Sequence, residues 1–136
     1  MVLAEAADDR TVVARWSQHG QPIERPFTLG FLKETLLDVA RGDKIAYVTD
    51  VVGSDGNVAA IMELAKGAEI LFIEAAFHDR ERARATARRH LTARQAGTIA
   101  RLAGARRAVP FHFSPRYVEE ETALYLELDA AFAGEG

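Results

Sequence analysis

The sequence predicts an α/β protein whose strands pair in parallel. Two short and continuously apolar runs, at 44–50 and 69–74, have the length of strands, and such continuity is typical of strands buried on both faces. The segments between predicted strands are long enough for helical crossovers, which parallel pairing requires. The chain has 136 residues and a mass of 14.9 kDa, so we expect one domain over residues 1–136.

The first part of the chain predicts one strand, an irregular stretch and a helix. The residues from Thr11 to Trp16 alternate loosely between apolar and polar, which favours a short strand. Gly20 and Pro22 then interrupt the pattern, so we expect irregular structure through Pro26. After Thr28, apolar residues recur at helical spacing as far as Ala40, which predicts a helix.

The next elements are a strand, a helix and a second strand. The run from Lys44 to Asp50 predicts a buried strand that ends at a glycine-containing loop. Asn57 is a suitable N-cap for a helix that continues to Lys66, and Gly67 provides a stop signal. The run from Glu69 to Glu74 predicts the second strand.

Two helices are predicted in the arginine-rich part of the chain. The pattern between Asp79 and Arg89 is helical and rich in alanine. Thr92 and Gln95 have the spacing of a capping box, in which each side chain accepts a hydrogen bond from the other residue's backbone N–H. This box predicts a second helix that extends to about Gly104.

The last elements are a third strand and a C-terminal helix. The residues from Ala108 to Phe113 predict a strand, and Pro110 places it at a sheet edge or a bulge because proline cannot donate to a ladder. Ser114 followed by Pro115 is typical of a helix start, so we expect a helix from there toward Ala133.

The composition excludes several classes of protein. Hydrophobic residues make up 49% of the chain, charged residues 27%, and the mean hydropathy is −0.09, as in globular proteins. No apolar run reaches the roughly 18 residues of a membrane helix, and the acidic start does not resemble a secretory signal, so we expect a cytoplasmic protein without a membrane partner. The absence of cysteine excludes thiolate metal sites, so a metal would need histidine and carboxylate ligands.

Three polar residues are predicted to meet at one edge of the sheet. Asp50, Glu74 and His112 each lie at or near the carboxyl end of a predicted strand, where ligands bind in open parallel sheets. Each also has a purely structural explanation, as a turn residue, an ion-pair partner and a core histidine respectively. His90 would join them if the helix before it continued that far, because Ala83, Ala87 and His90 would then share one face.

The net charge of −3 is unevenly distributed. Nine arginines lie between Asp79 and Arg107 against two acidic residues, which favours attraction of a polyanion or, more simply, solvated helix faces. A stripe at helical spacing would be neutralised by phosphate or by acids of the C-terminal segment; its members are Arg80, Arg84 and Arg88. We expect His19 and His78 to be exposed and without function.

Four segments resemble the C-terminal half of ribonuclease Z and its metallo-β-lactamase-fold relatives. They are Tyr47–Asp50, Leu71–Phe77, His90–Gly97 and Pro110–Tyr117. The match extends from about residue 44 to 117, and residues 1–43 match poorly. The resemblance implies half of an αββα sandwich, with helices packed on one face of a parallel-rich sheet. It also implies a tRNA 3′-end endonuclease, or a related phosphodiesterase or hydrolase, with two zinc ions or manganese.

The resemblance also implies roles for individual residues. Asp50 would bridge the two metals and His112 would bind one of them. His90 would stabilise or protonate the leaving oxygen, and Glu74 would hold its ring. The resemblance assigns substrate binding to Thr92, Ser114 and Arg116.

The family's His-x-His-x-Asp-His cluster does not occur in this sequence. Asp50 and His112 cannot supply two zinc sites, because a catalytic zinc takes three protein ligands. We therefore expect a missing N-terminal half or a second copy of the chain, as in a homo-oligomer, to complete the site, and the isolated chain to be inactive. One alternative is a half-fold that acts as an interaction or dimerisation module. Another is a small module that binds anions through the arginine stripe.

Overall fold

A computed structural model of the chain describes residues 7–36 and 42–135. The chain forms two compact units, Met1–Gly42 and Asp43–Gly136, and each is described by itself. The prediction that residues 1–136 form one domain remains a prediction.

The first unit is built on an antiparallel hairpin, and the predicted irregular stretch is wrong. Strand β1 (Thr11–Gln18) pairs with strand β2 (Gln21–Thr28) across a two-residue turn. The turn residues, His19 and Gly20, have φ values of 53° and 78°, as a tight hairpin turn requires. The prolines of β2 at 22 and 26 lie opposite Ser17 and Val13, at positions where the backbone N–H would point away from β1. Proline therefore does not interrupt this strand.

Helix α1 (Leu29–Thr35) follows the hairpin directly. The Thr28 hydroxyl caps it by accepting a hydrogen bond from the backbone N–H of Phe31 at 3.2 Å. The helix predicted after Thr28 is confirmed for these residues, and the remainder of the prediction, at 37–40, lies outside the described residues.

The second unit contains a parallel three-stranded sheet. Its strands are β3 (Ile45–Val48), β4 (Ile70–Glu74) and β5 (Ala108–Phe111), in the order β3-β4-β5. The three apolar runs therefore contain strands, and the predicted α/β class with a parallel sheet is confirmed. Strand β5 lies at an edge, as Pro110 predicted.

Four helices of the second unit connect and flank these strands. They are α2 (Asp55–Ala65), α3 (Arg82–Arg88), α4 (Ala93–Leu102) and α5 (Glu121–Ala133). The capping box of α4 is confirmed, because the side chains of Thr92 and Gln95 each accept a hydrogen bond from the other residue's backbone N–H. In the part of the chain that the structure describes, no helix has the length and apolarity needed to cross a membrane.

Two predicted helix starts are wrong. Helix α2 is capped by Ser54, whose hydroxyl accepts from the backbone N–H of Asn57, so Asn57 lies within the helix. Ser114 precedes only a short 3₁₀ turn, Pro115–Tyr117, and α5 begins at Glu121. Both errors arise because several Ser, Asn and Pro residues near a boundary can each begin a turn.

The two faces of the sheet differ in burial. Ala46, Leu71 and Ile73 point to the helices and are buried, and α4 packs against α5 on this side. On the other face, Ile45 is 62% and Tyr47 is 60% exposed. The rings of Tyr47 and Phe111 lie 4.6 Å apart between centroids and are tilted by 35°. Within the described part of this unit, helices therefore pack on one face, and the open face is apolar. The prediction that β3 is a buried strand is wrong for this face, because none of the helices that the structure describes in this unit covers it.

Helices α4 and α5 are in close contact at Gly97. A Cβ atom at this position would overlap the carbonyl oxygen of Leu128 and would lie 3.0 Å from Ala131 Cβ and from the backbone nitrogen of Phe132. Only glycine allows the two helix backbones to pack at this distance.

Candidate metal centre

Four side chains meet at the carboxyl edge of the parallel sheet. Asp50 follows β3, Glu74 ends β4, and His112 follows β5, so parallel pairing brings them to the same edge. His90 joins them from the connection between α3 and α4. One potential ligand atom from each of the four residues lies within 4.8 Å of the others.

Glu74 is the centre of this cluster. It is fully buried, and its Oε2 lies 3.1 Å from the Nδ1 atoms of both His90 and His112. The same oxygen accepts a hydrogen bond from the backbone N–H of Asp50 at 2.7 Å. Oε1 accepts from the backbone N–H groups of Leu91 at 2.8 Å and Val51 at 3.3 Å. A buried carboxylate needs such donors, and here they also tie three loops together.

The contacts of Glu74 determine how both histidines are oriented. Because a carboxylate accepts hydrogen bonds, each Nδ1 donates to Glu74, and each Nε2 is left without a bond to this carboxylate. The two rings meet edge to face, with 5.3 Å between centroids. Two imidazole nitrogens are therefore available to a metal ion or a substrate.

Asp50 and His112 share an unusual backbone conformation. Their φ values are 54° and 58°, in the left-handed region that few residues other than glycine adopt. The Asp50 carboxylate is 68% exposed, and its Oδ1 lies 3.9 Å from His112 Nδ1 and 4.0 Å from His90 Nδ1. Such conformations are concentrated at functional sites, where surrounding contacts hold them.

His90 reaches the cluster by a different route from the one predicted. Helix α3 ends at Arg88, and Arg89 adopts a left-handed conformation that turns the chain. The predicted face is wrong, because Ala83 and Ala87 are exposed and Ala85 is the buried alanine of this helix. His90 faces inward because the chain reverses at Arg89.

A cavity of about 470 Å³ adjoins the two histidines. Its walls come from the segment after β4, from α3, and from the segment after β5. The lining residues are Ala76, Phe77, Arg84, Arg88, His90, His112, Phe113, Ser114, Pro115 and Arg116.

The three residues assigned to substrate binding lie in different surroundings. Ser114 and Arg116 line the cavity. Thr92 is fully buried, and its hydroxyl donates to Asp79 Oδ1 at 2.8 Å and accepts from the Gln95 N–H at 3.2 Å. A role of Thr92 in substrate binding remains a prediction, since its hydroxyl is engaged in capping α4.

Glu81 connects two walls of the cavity. Its Oε1 accepts from Arg116 Nη1 at 2.8 Å and from Arg84 Nη1 at 3.3 Å. Its Oε2 accepts a very short hydrogen bond from the Tyr117 hydroxyl. Burial, together with this bond to a carboxylate, raises the pKa of Tyr117 above its ordinary value of 10.0.

His78 is buried, so the prediction that it is exposed is wrong. It is 8% exposed, its Nδ1 lies 3.5 Å from Glu127 Oε2, and its ring meets the Tyr117 ring edge to face. Within the described residues, its Nε2 has no hydrogen-bond partner. The segment after β4 reads as a loop in the sequence, yet it packs against α5, and only the tertiary fold shows this.

Replacing Tyr117 with phenylalanine is expected to destabilise the chain by about 2 kcal/mol at neutral pH, because the buried hydroxyl bonds to a charged carboxylate. The raised pKa favours the neutral phenol in the folded state. The stabilisation of the folded chain by the Tyr117 hydroxyl is therefore complete below pH 10, and it is lost as the pH rises through the folded-state pKa of Tyr117. Urea denaturation as a function of pH should show the difference between the two proteins shrinking only under alkaline conditions. A constant difference up to the highest pH would contradict this.

The donor types in the cluster fit zinc, which binds imidazole nitrogen and carboxylate oxygen. Asp50 offers carboxylate oxygens, and His90 and His112 offer Nε2 atoms, whereas both oxygens of Glu74 already accept hydrogen bonds within the protein. A site for two ions needs more ligands than these. The described residues of the cluster therefore offer fewer donors than a two-ion site needs.

The chain resembles known proteins over most of its length. Residues 5–113 match the beta-lactamase superfamily domain. Ribonuclease Z from Thermobifida fusca is 45% identical over 98 residues, which are 71% of this chain and 30% of that protein. Ribonuclease Z from Streptomyces coelicolor is 34% identical over 140 residues, which are 98% of this chain and 45% of that protein. The resemblance read from the four motifs is thus confirmed.

A solved structure shows the same fold. The metallo-beta-lactamase fold protein YhfI from Bacillus subtilis superposes with a TM-score of 0.59 at 18% identity, covering 94% of this chain and 48% of that one. The chain thus spans less than half the length of the curated relatives described above.

Proposed function

Because the chain belongs to the beta-lactamase superfamily, we propose that it forms the C-terminal half of a metal-dependent hydrolase of ribonuclease Z type. The observation that supports this most strongly is the cluster at the sheet edge, where one buried carboxylate orients two imidazoles beside an exposed aspartate. The reaction is hydrolysis of a phosphodiester or a related ester, with processing of a tRNA 3′ end as the leading case.

The metal-binding residues in this proposal are Asp50 and His112. The Asp50 carboxylate has two oxygens and so can reach two ions, and His112 offers Nε2. Two zinc ions, or manganese in their place, would supply an activated water and neutralise charge on the phosphoryl oxygens. Ligands from outside this chain complete the site.

In this proposal His90 is the catalytic residue, and Glu74, also predicted to be catalytic, acts by positioning it. His90 lines the cavity and would give a proton from Nε2 to the leaving oxygen, while Glu74 holds the ring by accepting from Nδ1. Glu74 touches no solvent, so it is a positioning residue. Ser114 and Arg116, which line the cavity, bind the substrate in this proposal. Thr92 is the third proposed substrate-binding residue, and its side chain is buried.

The partner in this proposal covers the open face of the sheet. Exposed apolar residues such as Ile45 and Tyr47 are typical of a surface that packs against another element. The N-terminal half of the fold, or a second copy in a homo-oligomer, would cover it. Native mass spectrometry of the purified chain distinguishes these from a monomer.

The same open face favours one alternative function. If the chain binds no metal and forms a stable dimer through this face, it acts as an interaction or dimerisation module with an incomplete site. Tyr47→Lys would then abolish the dimer in native mass spectra. A monomer that takes up zinc would contradict the alternative.

Metal uptake tests the proposed function. Isothermal titration with zinc or manganese should show binding to the chain at micromolar concentration. Asp50→Ala and His112→Ala should each weaken it by about tenfold or more, because each removes a ligand. His19→Ala is the control, since His19 lies in the hairpin turn. Uptake that is absent, or that is unchanged in both site variants, would overturn the proposal.

A further inference from the structure

The arginine stripe predicted from the sequence is divided in the structure. Arg84 and Arg88 of α3 line the same cavity as His90 and His112. Arg80 instead pairs with Glu120 at 3.0 Å and does not line this cavity. Two of the three arginines therefore line the cavity beside the candidate metal centre.

The cavity has a strongly positive lining. Arg116 and Ser114 lie in the wall formed after β5, and no acidic residue among the described ones lines the cavity. Among the described residues, the Glu81 carboxylate pairs with both Arg84 and Arg116, so it offsets one of their two positive charges. Arg88 forms no ion pair with any other residue that the structure describes. At least two arginine charges are therefore left for a ligand.

Glu81 also orders the arginines from two elements. It fixes one nitrogen of Arg84 and one of Arg116, and it is itself held by the Tyr117 hydroxyl. A guanidinium has five N–H donors, so each arginine keeps donors that can bind a second anion in bidentate fashion. The side chains are thus partly ordered before a ligand arrives, which lowers the entropic cost of binding.

We propose that Arg84 and Arg88 form a subsite for a second phosphate group of a nucleic-acid strand, next to the phosphate cleaved at the candidate metal centre. The position of that cleaved phosphate rests on the proposed function. An ester with a single anionic group would leave these arginines without a partner, whereas a polynucleotide carries one charge per nucleotide. The subsite therefore selects a strand over a small ester.

Binding of a fluorescein-labelled, single-stranded oligoribonucleotide to the full chain tests this subsite. Fluorescence anisotropy is measured over a range of salt concentrations with EDTA present, so that metal binding does not contribute. Arg84→Ala and Arg88→Ala should each weaken binding by about fivefold at low salt and reduce the salt slope by about 0.7. The double variant should reduce the slope by about 1.4.

Two controls remove an equal charge elsewhere. Arg80→Ala changes the third member of the stripe, and Arg107→Ala changes an exposed arginine just before β5, at the opposite edge of the sheet. Both should leave the salt slope within about 0.3 of wild type, because neither arginine lines the cavity. Circular dichroism confirms that every variant is folded.

Two results would overturn the subsite. One is a double variant that binds with the same affinity and slope as Arg107→Ala. The other is inorganic phosphate competing as well as the oligoribonucleotide at equal phosphate concentration, which would indicate a site for a single anion. Failure of the proposed function would appear separately, as lost metal uptake with the arginine dependence intact.

Discussion

Replacing Glu74 with alanine is expected to lower the free energy of unfolding by about 3 to 5 kcal/mol, and to abolish metal uptake. The side chain is fully buried and accepts from three backbone N–H groups and two imidazoles. Alanine would leave these donors buried without a partner. It would also release both histidine rings, so the candidate ligands would lose their orientation.

Urea denaturation followed by circular dichroism measures the change in the free energy of unfolding. Titration calorimetry with zinc measures the loss of metal uptake. Glu74→Gln is the matched control, because it keeps the volume and one accepting oxygen but places an amide donor against N–H groups. The Glu74→Gln variant should be destabilised less than the Glu74→Ala variant. It should still lose the fixed orientation of the two histidine rings, which NMR of the imidazole nitrogens reports directly. An alanine variant within about 1 kcal/mol of wild type would refute the central role of this carboxylate.

The second large effect is expected at Gly97. An added methyl group at this position would overlap a carbonyl oxygen of α5, which belongs to the backbone and cannot rotate away. Gly97→Ala should therefore push α4 and α5 apart and cost about 3 kcal/mol, even though alanine is the better helix former.

Gly56→Ala provides the matched comparison for this glycine. Gly56 also lies in a helix, α2, but nothing is within 4 Å of an added Cβ atom. This substitution should raise stability by about 0.5 to 1 kcal/mol. Thermal and urea melts of the two variants should therefore shift in opposite directions, and shifts of the same sign would contradict the packing argument.

The parallel sheet and the meeting of polar residues at its edge were predictable from the sequence. Short continuous apolar runs indicate strands, even though one face of β3 is exposed, and parallel strands place their carboxyl ends together. That is why Asp50, Glu74 and His112 could be placed at one edge before the structure was known. The capping box at Thr92 was equally predictable, because its two bonds join residues three positions apart.

Other features depend on long-range contacts that local patterns do not contain. The burial of His78 depends on α5, nearly fifty residues away in the chain. The inward position of His90 depends on a left-handed Arg89, a conformation that the sequence does not indicate for arginine. The hairpin was missed because two prolines disfavour a strand, although their register makes both harmless.

The placement of Pro110 also affects how the sheet can grow. The carbonyls of Arg107 and Phe111 accept from β4, so the backbone groups at 108 and 110 point away from the sheet. Proline has no N–H, so the unpaired edge of β5 lacks a hydrogen-bond donor at Pro110, where an added strand would need one. Addition of another strand, and edge-to-edge aggregation through it, is therefore disfavoured at β5. The other edge strand, β3, is the more favourable place for it.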